Sequence, residues 1–179
     1  MAQLRRDTSL AGASHMKFAT STVQALHDSP LGTIILAASE ERLLGIWFAG
    51  QRHQPDTSHW ARDEQHPLLR RVKTELDEYF AGERHAFDLP LDMACGTAFQ
   101  QTVWRALLAI PYGSSTSYGA LSSAIGKPRA VRALGAAVGR NPFSIAVPCH
   151  RVIGSTGALT GYAGGLARKT ALLQLEGVL

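Results

Sequence analysis

Cysteine is scarce in this chain of 179 residues: only Cys95 and Cys149 are present. Two cysteines make no disulfide framework and are too few for a cysteine-rich zinc site. The seven histidines show no close metal spacing, so no metal is expected. Free thiols fit a reducing, cytoplasmic compartment. Long hydrophobic runs are missing as well: the apolar stretches are broken by charge well before a membrane span, and no secretory signal is seen. Acid is the third shortage. Residues 96–179 carry eight lysines or arginines and one acid, Glu176, whereas the first 95 carry ten basic and thirteen acidic residues. A basic half joined to an acidic half points to a polyanion partner for the basic half, against the plainer reading of a solvated basic surface.

An apolar content of 45% can fill a core in one large or two small domains. Residues 1–15 lack periodicity and are expected to be disordered or a cloning remnant, with Ser14–His15–Met16 as the junction. Thr22–His27, Thr33–Ala38 and Leu43–Phe48 read as strands joined by short turns, which implies an antiparallel meander. Residues 51–65 are polar and read as a surface loop. Pro67 opens a helix carrying Leu68, Leu69, Val72, Leu76, Tyr79 and Phe80 at helical spacing, and Gly82 ends it. This α+β unit is assigned to residues 16–92. Cys95 has no neighbouring His or Arg and is expected to be unreactive.

The second unit, 93–179, reads as mainly α. Thr97 caps a helix with Phe99, Val103, Leu107 and Ile110 on one stripe. Ser117 caps Tyr118–Ile125, with Ala120, Leu121, Ala124 and Ile125 inward. After Gly126–Lys127–Pro128 a second helix is expected over Arg129–Gly139, with Val131, Leu134, Gly135 and Val138 inward. The pair has the form of a helix-turn-helix. Arg129, Arg132, Ala133 and Ala136 lie off the inward stripe of a slim helix that could approach a nucleic-acid groove closely. Phe143–Val147 reads as a short buried strand ended by Pro148. Cys149 follows at the bend, beside His150 and Arg151, where a lowered thiol pKa could arise; a small buried hydrophobe is the commoner fate of a lone cysteine. Five glycines in Gly154–Gly165 could wrap a flat ligand. A last helix over Leu166–Glu176 packs Leu172, Leu173 and Leu175. A thiolate needs a base, for which His150 is the candidate. Glu176, the only carboxylate of this half, is available to orient it.

Val147–Pro148–Cys149–His150–Arg151–Val152, with Asn141 before it and Gly161–Tyr162–Ala163–Gly164–Gly165 after it, resembles the active-site signature of the O6-alkylguanine-DNA alkyltransferases (methylated-DNA–protein-cysteine methyltransferases). The resemblance runs from about Gly96 to Glu176, and more weakly through Ser29–Thr33 and Leu44–Phe48. It implies a small N-terminal antiparallel sheet with a helix, then a winged-helix-like DNA-binding domain. It implies irreversible, single-turnover transfer of an alkyl group from O6-alkylguanine in double-stranded DNA, and from O4-alkylthymine, to Cys149, with no cofactor. The roles implied are a water-coupled base for His150, its orientation by Glu176, proton donation to the departing base by Tyr118, and bracing of the turn by Asn141. Backbone groups of Cys149, Val152 and Ala163 would read the guanine edge, and Tyr162 would wall the pocket. The target base must be flipped out of the duplex, with Arg132 taking its place in the stack. Arg129, Ala133, Ala136, Arg140 and Arg151 complete the expected DNA surface. Gly139–Arg140 departs from the Arg–Gly order of some members. Some members hold a structural zinc in the N-terminal domain; the cysteine cluster for it is missing here. The chain is expected to act as a monomer, with cooperative coating of DNA left open. Two competing readings are a non-catalytic DNA-binding sensor or regulator, which Cys149 argues against, and a cysteine hydrolase, which the acid-poor basic half argues against.

Overall fold

The computed structural model describes residues 18–179, so the expectation for residues 1–15 lies outside the described residues. Strands β1 (Val23–Ser29) and β2 (Gly32–Ala38) form an antiparallel hairpin. Its turn is closed by the Ser29 hydroxyl, which donates to the Gly32 carbonyl at 2.6 Å. Gly32 sits at φ +107°, a conformation a side chain would oppose. Strand β3 (Leu43–Phe48) pairs antiparallel with β2, completing the expected meander. A fourth strand, β4 (Ala61–Arg62), runs parallel to β1, giving the order β3-β2-β1-β4. It falls in the segment read as loop. Two exposed residues carry no periodicity; what anchors them is Gln24, whose amide donates to the Thr57 and Trp60 carbonyls at 2.7 and 3.0 Å.

Helix α1 (Pro67–Phe80) lays Leu69, Val72, Leu76 and Tyr79 against β1 and β2. The i, i+3, i+7 spacing puts all four on one face. Strand β2 is covered on both sides. Ile34, Leu36 and Ala38 join α1 in the main core, while Ile35 and Ala37 meet Leu44, Trp47, Trp60 and the edge-on ring of Phe18.

The second half is built on α2 (Ala98–Leu108), whose N-terminus carries a full Thr97–Gln100 capping box. The Trp104 indole donates to the Ala137 carbonyl at 2.9 Å and so ties α2 to α4 (Val131–Gly139). A two-residue strand β5 (Thr116–Ser117) leads into α3 (Tyr118–Ala124), capped by the Ser117 hydroxyl, and pairs parallel with β6 (Val152–Ile153). Helix α5 (Leu166–Leu175) closes the chain. The fold is α+β, and one apolar cluster runs from the sheet through α1 and α2 to Leu172 of α5. Among the described residues no helix is long and apolar enough to cross a membrane.

Three expectations require correction. Helix α4 starts at Val131, because Arg129 and Ala130 belong to the turn, where the Ala130 N–H bonds the Lys127 carbonyl. Its buried stripe is Leu134, Ala137 and Val138; Val131 is exposed. In α3, Ala120 and Ala124 are exposed, and Ser122 is buried because its hydroxyl closes the turn onto the Lys127 carbonyl. Phe143–Val147 is a buried turn and not a strand. Ile145 lies at φ +73°, and the Val147 N–H bonds the Phe143 carbonyl at 2.9 Å.

That turn packs on the sheet's outer edge. The Ile46 N–H donates to the Pro142 carbonyl at 2.8 Å, and the Ser144 N–H returns to Ile46 at 2.9 Å. Leu43 and the 90–92 linker exchange a similar pair of bonds, so β3 leaves little free edge. Within β3, Gly45 lies under Trp47: a Cβ there would fall 1.8 Å from the indole ring. Gly45→Ala should therefore destabilise the protein by about 1–3 kcal/mol, read as a lower Tm in thermal unfolding.

Candidate active site

Asn141 is the brace of the turn. It is buried, its Oδ1 accepts the Phe143 N–H at 2.9 Å, and its Nδ2 donates to the Val147 carbonyl at 2.8 Å. An amide side chain that donates and accepts at once can hold both ends of such a loop. It also offsets the unfavourable φ of the β-branched Ile145. Pro148 then directs the chain into a 3₁₀ turn, Cys149–Arg151, which places the Cys149 thiol on the wall of a cavity of about 270 Å³.

His150 is fully buried, with Nε2 2.7 Å from Glu176 Oε1. Glu176 sits just past the end of α5 and gathers three partners. The Arg151 guanidinium grips both its oxygens, Nε to Oε2 at 2.8 Å and Nη2 to Oε1 at 3.0 Å. The Tyr79 hydroxyl, from α1 in the other half of the chain, donates to Oε1 at 2.7 Å. Burial alone would raise the Glu176 carboxyl, but the bonds from His150, Arg151 and Tyr79 outweigh it and bring it down to about 2. An ionised carboxylate only accepts, so His150 must carry its proton on Nε2. That leaves Nδ1 as the acceptor, buried and with no bond to the protein. Burial, against the pull of Glu176, lowers the imidazole below its ordinary value and keeps it neutral.

Burial raises the Cys149 thiol above its usual range, although Asn141, Lys169 and nearby backbone N–H groups act to lower it. The lowered pKa that two adjacent cations suggested is not found. His150 is neutral, and the Arg151 charge is spent on Glu176. The resting group is a thiol. Arg151 itself is a correction: it is no DNA contact but a buried residue, also donating to the Ile110 carbonyl at 2.6 Å. Cys95, as expected, is poorly reactive: burial and the nearby Asp92 push it up to about 11.

The cavity gathers residues from across the chain. Tyr118, Tyr162 and Ala163 line it with Cys149, and α4 contributes Gly135, Ala136, Val138, Gly139 and Arg140. Tyr118 is half-buried and reaches the Thr160 carbonyl at 3.4 Å; burial keeps its phenol protonated. Burial does the same for Tyr162. Val152, expected in the pocket, is not among the residues lining the cavity; it is fully buried, its carbonyl held by Lys169 Nζ at 2.6 Å. Arg129, Arg132, Ala133 and Ala136 are exposed on and beside α4.

Sequence reasoning missed four residues here. Tyr79 read as core, since it falls on the apolar stripe of α1. Lys169 is fully buried and also reaches the Thr160 and Gly161 carbonyls at 3.0 and 3.2 Å, so it holds the glycine-rich loop. Its signal was visible: Lys169 and Glu176 share the stripe of Leu172 and Leu173 at i, i+3, i+4, i+7. Arg52 and His53 line the cavity from the N-terminal half, where a polar loop gave no hint.

The chain matches a known family in both halves. Residues 98–178 match the 6-O-methylguanine DNA methyltransferase DNA binding domain, and residues 22–93 match the ribonuclease-like domain of the same methyltransferases. A methylated-DNA–protein-cysteine methyltransferase of Mycobacterium bovis is 49% identical over 149 residues, 83% of this chain and 88% of that protein. The constitutive enzyme of that name from Bacillus subtilis is 48% identical over 153 residues, covering 83% and 92%. Among solved structures, the Mycobacterium tuberculosis OGT in complex with DNA superimposes with a TM-score of 0.79 at 46% identity, covering 87% of this chain and 92% of that one. The chain belongs to the methylated-DNA–protein-cysteine methyltransferase family.

Proposed function

We propose that the protein repairs DNA directly, by moving the alkyl group of an O6-alkylguanine onto its own Cys149. The observation that carries this reading is the juxtaposition of a cavity thiol with a neutral, buried histidine oriented by a carboxylate. His150 Nδ1 takes the thiol proton, directly or through one water. The Cys149 sulfur attacks the alkyl carbon, the carbon–O6 bond breaks, and its electron pair stays on the guanine. Tyr118 donates its phenol proton to the departing base, which leaves as guanine. The thioether has no route back, so one molecule repairs one lesion and no cofactor takes part. Asn141 and Lys169 keep the turn and the glycine-rich loop in place around the base.

The lesion reaches the cavity by base flipping. Helix α4 enters the minor groove on its small residues, Arg132 fills the gap in the stack, and Arg129 and Arg140 meet phosphates. The division near residue 92 separates a supporting α+β unit from the DNA-binding one. Two free thiols support a cytoplasmic setting. O4-alkylthymine is the second substrate of this reading. A sensor without transfer chemistry would have no use for the Cys149–His150–Glu176 arrangement.

Incubation with a duplex holding one O6-methylguanine should add one methyl to the Cys149 peptide, seen by mass spectrometry, with stoichiometric repair. Cys149→Ala should bind the duplex and transfer nothing. Tight lesion binding without a mass change would favour the sensor instead. Arg132→Ala should slow transfer from duplex DNA by roughly tenfold or more, the scale of a few kcal/mol lost in extruding a base; an unaltered single-turnover rate would remove Arg132 from that role.

A further inference from the structure

The loop 49–54 of the N-terminal half reaches the mouth of the alkyl pocket, and it is held there firmly. Gln51 is buried, and its Oε1 accepts both the Phe48 N–H at 2.8 Å and the Ser144 hydroxyl at 3.0 Å, joining β3 to the active-site turn. Gln54 Oε1 accepts the Gly50 N–H at 2.7 Å. The Arg52 N–H donates to the Ala163 carbonyl at 3.0 Å, so this loop and the glycine-rich loop are bonded main chain to main chain. His53 adopts φ +63°, and both it and Arg52 line the cavity.

Arg140, at the end of α4, lines the same cavity as Arg52 and His53. After burial, the charges of Arg140 and Arg52 hold the His53 imidazole below its ordinary value. Among the described residues neither arginine makes an ion pair, in contrast to Arg71, Arg84 and Arg151. Space is left beside them: a Cβ on Gly139 would meet nothing within 4 Å. Two uncompensated guanidiniums at the rim of a pocket that takes a base have one natural counterpart. A base that enters the pocket brings its own sugar and phosphates to the mouth, and planar guanidinium matches a phosphodiester with two parallel bonds.

We propose that the N-terminal half is a DNA-contacting element: Arg52, acting with Arg140 at the pocket mouth, binds a backbone phosphate flanking the flipped nucleotide. This rests on the alkyl-transfer reading, because it supposes that the cavity receives an extruded base. It gives the N-terminal half a part in capturing the lesion as well as supporting the fold. The pinned loop makes the contact cheap in entropy, since its backbone is already ordered.

The test is a double-mutant cycle on equilibrium binding, run in the Cys149→Ala background so that it is read whether or not transfer occurs. The duplex carries one O6-methylguanine, with its flanking phosphates either charged or replaced singly by neutral methylphosphonate. Arg52→Ala should weaken binding to the charged duplex by about tenfold and reduce the salt slope by about 0.9. One methylphosphonate position should cause a similar loss in the parent and little further loss in Arg52→Ala. Arg52→Lys, which keeps the charge but not the two-pronged geometry, should keep the salt slope and recover only part of the affinity. Losses that simply multiply at every position, or Arg52→Ala binding with undiminished affinity and salt slope, would overturn the contact. Mass spectrometry of the unmutated protein with the charged duplex is the separate control: an unmethylated Cys149 there sinks the transfer reading, while the binding cycle still reports on the phosphate.

Discussion

The Glu176 carboxylate is the interaction on which the site depends. It is an ion buried beside α5, and taking it out of water would be costly without full compensation. Arg151 neutralises it, and Tyr79 and His150 complete its hydrogen bonds. The result is a fixed acceptor that chooses the tautomer of His150. Removing Arg151 or Glu176 alone would leave the other's buried charge unpaired, a loss of about 3–5 kcal/mol in typical proteins. The residue that sets up the chemistry is thus also a keystone of packing between the two halves.

Cys149 is kept as a thiol by its burial, and His150 is kept neutral by the same means. A protein that is consumed by its own reaction gains from a nucleophile that stays quiet until a base fills the cavity. Excluding water around the pair strengthens the later attraction between thiolate and imidazolium. The N-terminal half enters this design at several points: Tyr79 on Glu176, Gln51 on Ser144, the Ile46 pairing with the turn, and Arg168 of α5, which donates to the Leu31 and Gly164 carbonyls at 2.9 and 3.0 Å over the Phe48 ring.

Much of this was legible in the sequence. The three long strands, α1, α2 and the helix pair follow from alternation, helical spacing, and caps at Thr97 and Ser117, all of which are local. The Pro-Cys-His-Arg run and the lone acid of the basic half pointed to Cys149, His150 and Glu176 together. What failed was non-local. Four apolar residues within a run of five read as a strand, because nothing in Phe143–Val147 itself reveals that Asn141 folds them into a turn. Arg151 looked like a DNA contact, because its basicity was visible and its pairing with Glu176 was not. The thiol's burial could not be weighed from neighbouring cations alone. Arg52 and His53 were hidden in a polar loop whose position depends on Gln51 meeting a residue 93 positions away.

The sign of the pH response follows from the shifts. Glu176, lowered to about 2, contributes stability above the ordinary carboxylate range that is lost as pH falls toward 2. His150, lowered by burial, stays neutral below the ordinary imidazole value and resists protonation on acidification. The central claim is that Glu176 holds His150 as a neutral base with Nδ1 free. Long-range ¹H–¹⁵N spectra of the ring test it directly, recorded from pH 8 down to the limit of the fold. The account predicts a proton on Nε2, an unprotonated Nδ1, and a neutral ring persisting below the ordinary imidazole pKa. A proton on Nδ1, or an imidazolium already formed at neutral pH, would contradict it.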